Sequence, residues 1–252
     1  MVKNLYSGYG KNIILKDISL TQERGTLTSL IGANGSGKTT LLRVLAGLHN
    51  YSGSVMLSGH EVRNISRKNF ARSVGFVMSG RSFSPSYPFS VREIVAMGRM
   101  PFTGIFSRLN HNDEKIIARS AEITGITHLM GRNIMTLSDG EKQLVLIASG
   151  LAQDTEILLL DEPTSSLDPD KAAKVFALLR RLADNGKSII ASVHDINISL
   201  SYSDCYIALR EGVLISHGHK ISRDVLKSLY GADFIPYSSN ERNDSMWRAL
   251  PE

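Results

Sequence analysis

The run Gly32-Ala-Asn-Gly-Ser-Gly-Lys-Thr39 fits the pattern G-x-x-x-x-G-K-[ST] in full, after an apolar stretch and before a helical one. Glycines at 32, 35 and 37 let the backbone curl into a concavity whose N–H groups face inward. Set at the positive end of a helix dipole, such a concavity suits phosphate oxygens. Lys38 is expected to reach the β- and γ-phosphates of a nucleotide, and the Thr39 hydroxyl to ligate Mg²⁺. Asn34, Ser36 and Thr40 are grouped with this cradle as nucleotide-binding residues.

A second chemical feature is Ile157-Leu-Leu-Leu160 followed by Asp161-Glu162. It places two carboxylates at the C-terminal end of a buried strand, where ligand sites of open α/β sheets lie. One acid would hold Mg²⁺, directly or through water; the second would orient and deprotonate an attacking water. By itself an acidic pair also simply ends a strand at the solvent boundary, and only the complete cradle favours the chemical reading.

The elements needed to hold these groups can be read along the chain. Strands are predicted at Ile13–Leu15, Ile18–Leu20, Leu27–Ile31, Ser54–Leu57 and Val74–Met78. A helix over Thr39–Leu48 carries Leu41, Leu42, Leu45 and Leu48 at helical spacing. Arg81–Pro88 reads as a loop, Ser90 and Glu93 as a capping box opening a helix over Val91–Gly98, and Asn112–Thr124 as a helix stopped by Gly125. Ser138 and Glu141 form a second capping box, for a helix running to about Ala152. Strand–helix alternation resumes with Ile157–Leu160, Pro169–Ala183 and Ser188–Val193, and a hairpin over Cys205–Leu209 and Val213–Ser216 closes it. Strands joined by helices imply a mainly parallel sheet covered on both faces, interrupted by a helical insertion.

Composition excludes several classes. The 252 residues hold no apolar run longer than five, whereas a membrane-spanning helix needs about 20. No secretion signal is recognisable at the N-terminus, and the single cysteine, Cys205, rules out an internal disulfide framework. The net charge of +5 suits phosphate or an anionic surface, yet no dense basic tract occurs. The richest segment, Arg63–Arg72, reads as a solvated face, and Trp247 lies in a polar tail with no assigned role.

Leu137-Ser-Asp-Gly-Glu141 lies between the cradle and the acidic strand end; Ser165-Ser-Leu-Asp168 follows the latter, and His194 ends the next strand. This ordered set closely resembles the nucleotide-binding subunit of an ATP-binding cassette (ABC) transporter, over nearly the whole chain. The resemblance implies an α/β fold: a P-loop NTPase (RecA-like) core, 1–80 and 153–252, with an N-terminal antiparallel β region and an α-helical signature subdomain, 81–152, inserted in a single nucleotide-binding domain. It makes Gly32–Thr39 the Walker A motif, Ile157–Asp161 the Walker B strand with Asp161 beside Thr39 as a metal ligand, and Glu162 the catalytic glutamate. His194 becomes the switch histidine, Ser165 and Asp168 the D-loop, and Tyr9 the aromatic stacked on adenine. Ser138, Asp139, Gly140 and Glu141 become the signature that closes over ATP on a partner subunit. ATP and Mg²⁺, a homodimer, two transmembrane permease subunits and a substrate-binding protein are thereby implied, at the cytoplasmic face of the inner membrane.

Val91–Arg99 with Pro101, and Leu229-Tyr-Gly-Ala-Asp233, are similar to importer ATPases for iron–siderophore, haem and cobalamin. By the same resemblance no C-terminal regulatory domain is expected. Two positions depart from the family pattern. Ser79 stands where a glutamine touches Mg²⁺ and the attacking water, and Asp139 where the signature has a glycine. The Asp139 side chain is expected to point away from nucleotide, because like charges about 4 Å apart repel by roughly 4 kcal/mol at an effective dielectric near 20. Two rival readings are a soluble ABC ATPase acting on nucleic acid or ribosomes and a degenerate regulatory module. A single cassette without a coiled-coil insertion or basic patch opposes the first, so no nucleic-acid partner is expected. Ser79 and Asp139 prompt the second.

Overall fold

Six short runs rich in apolar residues become neighbouring strands. In the computed structural model, which describes all residues except 81–82, 84–86, 105–107, 240–241 and 250–252 (backbone only at 199, 237–239 and 242–245), they build a six-stranded sheet. Its order is β10 (Val213–Gly218), β9 (Cys205–Arg210), β3 (Leu27–Ile31), β8 (Ser188–Ser192), β7 (Ile157–Leu160) and β6 (Val74–Val77). β6, β7, β8, β3 and β9 run parallel and β10 antiparallel. Every residue of β3 and β8 is buried, as expected where helices cover both faces.

Register decides what leaves the sheet together. Leu160 lies beside Ala191, Leu30 beside Ser192 and Ile31 beside Ala208, so the chain emerges after β3, β7 and β8 along one edge. From β3 it enters α1 (Lys38–Leu45), and from β8 it enters α8 (Ile196–Tyr202). After β7 a short loop leads to α7 (Pro169–Asp184), capped by Asp168.

A second, antiparallel sheet has the order β2 (Asn12–Leu20), β1 (Val2–Tyr9), β4 (Ser52–Leu57) and β5 (His60–Glu61). The sequence suggested two strands where β2 is one; Asp17, at φ 51°, interrupts the alternation without ending the strand. Between β6 and β7 come α3 (Val91–Met97), α4 (Met100–Thr103), α5 (His111–Ile123) and α6 (Asp139–Ala152). The capping boxes at Ser90 and Ser138 form as read, and Asn110 with Asp113 makes a third. One apolar cluster joins the central sheet to this helical block and α7; another fills the space between the sheets around α1.

Several elements carried too little pattern to be foreseen. α2 (Arg67–Ala71) sits in the basic segment, where the guanidinium of Arg63 lies 4.5 Å from the Tyr51 ring centre and that of Arg72 5.3 Å from Phe102. Those arginines therefore lean on rings as well as facing solvent. After α9 (Arg223–Tyr230), β11 (Phe234–Ser239) and β12 (Arg242–Ala249) form a hairpin. Trp247 lies on β12, and its backbone N–H and C=O are both bonded by the Asn197 side chain of α8, at 2.8 and 3.0 Å.

Candidate functional site

The glycine-rich turn between β3 and α1 tolerates few alternatives. A Cβ on Gly32 would stand 2.2 Å from the carbonyl oxygen of Leu209 on β9, so no side chain fits there. Gly37, at φ 101°, takes the left-handed conformation that starts α1. The Lys38 ammonium is buried and donates to the carbonyls of Gly32 (2.7 Å) and Ala33 (3.2 Å). Burial pulls its pKa below the usual lysine value, with the Glu162 and Asp161 carboxylates opposing. The Ser36 hydroxyl is buried without a hydrogen-bond partner among the described residues. A desolvated cation and an orphan hydroxyl in one loop are the needs that an anionic phosphate would meet.

The acidic strand end meets this loop. Thr39 Oγ1 donates to Asp161 Oδ1 at 3.1 Å, and the buried Ser192 hydroxyl donates to the same oxygen at 2.8 Å. Ser192 Oγ in turn accepts the Glu162 N–H at 2.8 Å. Glu162 occupies φ 50°, a conformation uncommon for a residue with a side chain. Its Oε1 lies 2.7 Å from Nε2 of His194, just after β8. A hydroxyl and a carboxylate are hard oxygen donors, so Thr39 and Asp161 fit Mg²⁺, which keeps several waters of its own.

Glu162, Ser165 and His194 line one cavity of about 240 Å³. Asp168 is turned to capping: it accepts the Lys171 N–H at 2.9 Å, which holds its carboxyl below the usual range. Tyr9 is exposed at the end of β1, 4.3 Å from the His49 ring centre, and Arg43 of α1 donates to its hydroxyl at 3.2 Å. The aromatic is thus tied to the helix that carries Lys38 and Thr39.

Ser138–Glu141 stands apart. Ser138 Oγ accepts the Glu141 N–H at 3.3 Å, and the Glu141 carboxylate accepts the Ser138 N–H at 2.8 Å. That second bond holds the Glu141 carboxyl below its usual range. The Asp139 side chain is 64% exposed and pairs with Lys142 at 3.4 Å. A Cβ on Gly140 would lie 3.1 Å from the Leu167 side chain, so this turn packs against the loop after Glu162. Among the described residues, no hydrogen bond or ion pair joins the Ser138 turn to the cradle. Ser79 is buried at the end of β6, and the next N–H, of Gly80, donates to Gln143 of α6 at 2.5 Å.

Sequence reasoning missed Ser192, whose signal was a polar residue inside the apolar run of β8. It also missed Tyr230 of α9. Burial raises that phenol's pKa, and the Gly32 backbone beside it opposes the rise.

An open parallel sheet with a phosphate cradle after β3 and paired acids after β7 defines a P-loop nucleotide hydrolase. The chain belongs to the ABC transporter family, whose model matches residues 15–165. It is 36% identical over 233 residues to the iron(3+)-hydroxamate import ATP-binding protein FhuC of Bacillus subtilis (strain 168), covering 90% of this chain and 85% of that one. It is 36% identical over 234 residues to the ferric enterobactin transport ATP-binding protein FepC of Escherichia coli (strain K12), covering 91% and 86%. The dimeric structure of MJ0796, a bacterial ABC transporter cassette, superposes with a TM-score of 0.76 at 25% identity, covering 88% and 98%. The protein is an ATPase coupled to transport. No helix among the described residues is long and apolar enough to cross a membrane.

Proposed function

We propose that this chain is the ATP-hydrolysing subunit of an importer for iron chelates, haem or cobalamin. It works as a homodimer on two permease subunits supplied by a substrate-binding protein, at the cytoplasmic face of the inner membrane. The kinship with FhuC and FepC supports the substrate class. One observation carries the mechanism: Thr39, Asp161, Glu162 and His194 converge at adjoining strand ends, while Ser138 stays outside that cluster. A site complete except for its signature calls for a second copy to supply it.

In this reading Lys38 exchanges its carbonyl partners for phosphate oxygens. Mg²⁺, held by Thr39 and Asp161, would neutralise charge on those oxygens. Glu162 takes the proton of the attacking water, and His194 holds the Glu162 carboxylate in position and contacts the γ-phosphate. Tyr9 stacks on adenine, with Asn34, Gly35, Ser36 and Thr40 completing the cradle. Ser138, Gly140 and the backbone of Asp139 and Glu141 close over the partner's nucleotide, Ser165 and Asp168 lie at the seam, and residues 81–152 move as the signature subdomain. The segment 79–104 couples this motion to the permease, with Ser79 in the glutamine's place; its residues 81–82 and 84–86 lie outside the described residues.

Glu162→Gln tests the reading. The variant should bind ATP, turn over at least about 100-fold more slowly and accumulate as a closed dimer. Hydrolysis-blocked, ATP-loaded protein that stays monomeric, alone and with its permease, would overturn it.

A further inference from the structure

The edge of the central sheet opposite the cradle gathers a different set of donors. β3 and β9 run parallel with Thr28 beside Cys205, so both begin at this edge. β10 returns antiparallel and pairs Gly218 with Tyr206, which brings the next residue, His219, across from Cys205. Glu23 comes from the turn that leads into β3. Cys205 Sγ lies 3.5 Å from His219 Nδ1, and His219 Nε2 lies 3.3 Å from Glu23 Oε1. One donor atom from each residue lies within 4.8 Å of the other two.

The surroundings suit a cation. His219 Nδ1 is 3.2 Å from the carbonyl oxygen of Asp204. An N–H donated there leaves the Nε2 lone pair on the Glu23 side, an orientation typical of metal-bound imidazoles. Besides burial, the carboxylates of Glu23 and Asp204 both act to raise the Cys205 thiol, so its sulfur sits in negative potential. A divalent ion would relieve that potential as the thiol gives up its proton to solvent.

We propose that Glu23, Cys205 and His219 bind one zinc-class divalent cation. Thiolate and imidazole select Zn²⁺ and its neighbours over Mg²⁺ or Ca²⁺, and three protein ligands leave a fourth position for water. The site is separate from the nucleotide cradle and does not depend on what the importer carries.

The test exploits composition. Cys205 is the single cysteine in the chain, so any thiolate-to-metal charge-transfer band reports this site alone. Full-length, chelator-treated, reduced protein is titrated with Co²⁺ as a spectroscopic substitute for Zn²⁺. The band should saturate at one equivalent and disappear when Zn²⁺ displaces Co²⁺. It should be absent in Cys205→Ser, and affinity should fall at least about tenfold in His219→Ala and Glu23→Gln. His219 and Glu23 are exposed, so both variants should fold, and circular dichroism checks this. A wild type without the band, or a folded His219→Ala that binds Co²⁺ like the wild type, overturns the proposal.

Discussion

Ser192 donates its hydroxyl hydrogen to Asp161 Oδ1 at 2.8 Å, and the same Ser192 oxygen receives the N–H of Glu162 at 2.8 Å. One buried serine therefore fixes both acids at the end of β7: the carboxylate of one and the backbone of the other. Ser192→Ala should lower turnover about tenfold, equal to about 1.4 kcal/mol of barrier. It should also raise the Mg²⁺ concentration for half-maximal rate, because Asp161 loses the donor that orients it. The half-buried Glu162 N–H would lose its partner, costing about 1 kcal/mol of stability. ATPase assays across Mg²⁺ concentrations, with urea unfolding alongside, measure both. An unchanged Mg²⁺ requirement would show that Ser192 serves folding alone.

His194 Nε2 and Glu162 Oε1 are 2.7 Å apart, close enough for the imidazole to hold the carboxylate in one orientation. His194→Ala should therefore cost about 100-fold in ATPase rate while leaving ATP affinity within about threefold. His194→Gln, which keeps a donor at similar reach, should recover part of the loss. Turnover of His194→Ala equal to wild type would remove the histidine from the site.

The parts of the fold legible in the sequence were those whose signal is local. Ile157–Leu160 is short, fully apolar and sharply bounded, Leu27–Ile31 is apolar at both ends and stopped by Gly32, and both form strands over the residues read. β1 was not legible, because its burial is irregular and Asn4, at φ 45°, breaks the alternation. α2 and α8, of five and seven residues, are too short to establish a helical period. The site divides in the same way. The cradle and acid pair announce themselves by type and spacing, but a serine within a strand carries no such mark. Ser192 matters through the register that sets Leu160 beside Ala191, a pairing between residues 31 apart. The Glu23–Cys205–His219 cluster likewise arises from pairing across three segments, not from any spacing along the chain.

Asp139 lies within the proposed signature turn, and its carboxylate is exposed and paired with Lys142. In the proposed closed dimer a partner's phosphate would meet the N–H groups of Asp139 and Gly140 at the start of α6, while the Ser138 hydroxyl is held by the Glu141 carboxylate at 2.9 Å. Asp139→Gly should change the ATPase rate by less than about tenfold, or about 1.4 kcal/mol of barrier. A larger gain would mean that the carboxylate turns toward nucleotide in the closed dimer.

The Lys38 pKa is lowered by burial in the free protein, with Glu162 and Asp161 opposing. Bound triphosphate adds negative charge beside the ammonium and must raise that value. Between the two values the complex holds a proton that the free protein lacks, so binding takes one up. ATP affinity should therefore fall as pH rises through the lower value. Calorimetry at alkaline pH, in buffers of different ionisation enthalpy, reads the uptake directly. It should vanish in Lys38→Arg, whose guanidinium stays charged. Equal uptake in that variant would assign the proton to another group.

Arg99 and Asp113 lock the helical block from inside. Their side chains are 5% and 2% exposed, and Arg99 Nε donates to Asp113 Oδ1 at 2.9 Å. Arg99 Nη1 also donates to the Ala152 carbonyl at 2.9 Å, and the guanidinium lies 4.2 Å from the Phe102 ring centre. Asp113 Oδ2 accepts the Asn110 N–H at 3.1 Å, closing the cap of α5. The pair thus ties the end of α3, the start of α5 and the end of α6 together. Arg99→Met leaves the Asp113 carboxylate buried without its cation and should destabilise the protein by about 3–5 kcal/mol. Arg99→Met with Asp113→Leu removes both charges and should cost clearly less than the sum of the two single changes. Chemical denaturation of the three variants measures the difference; additive losses would show that the two side chains act independently.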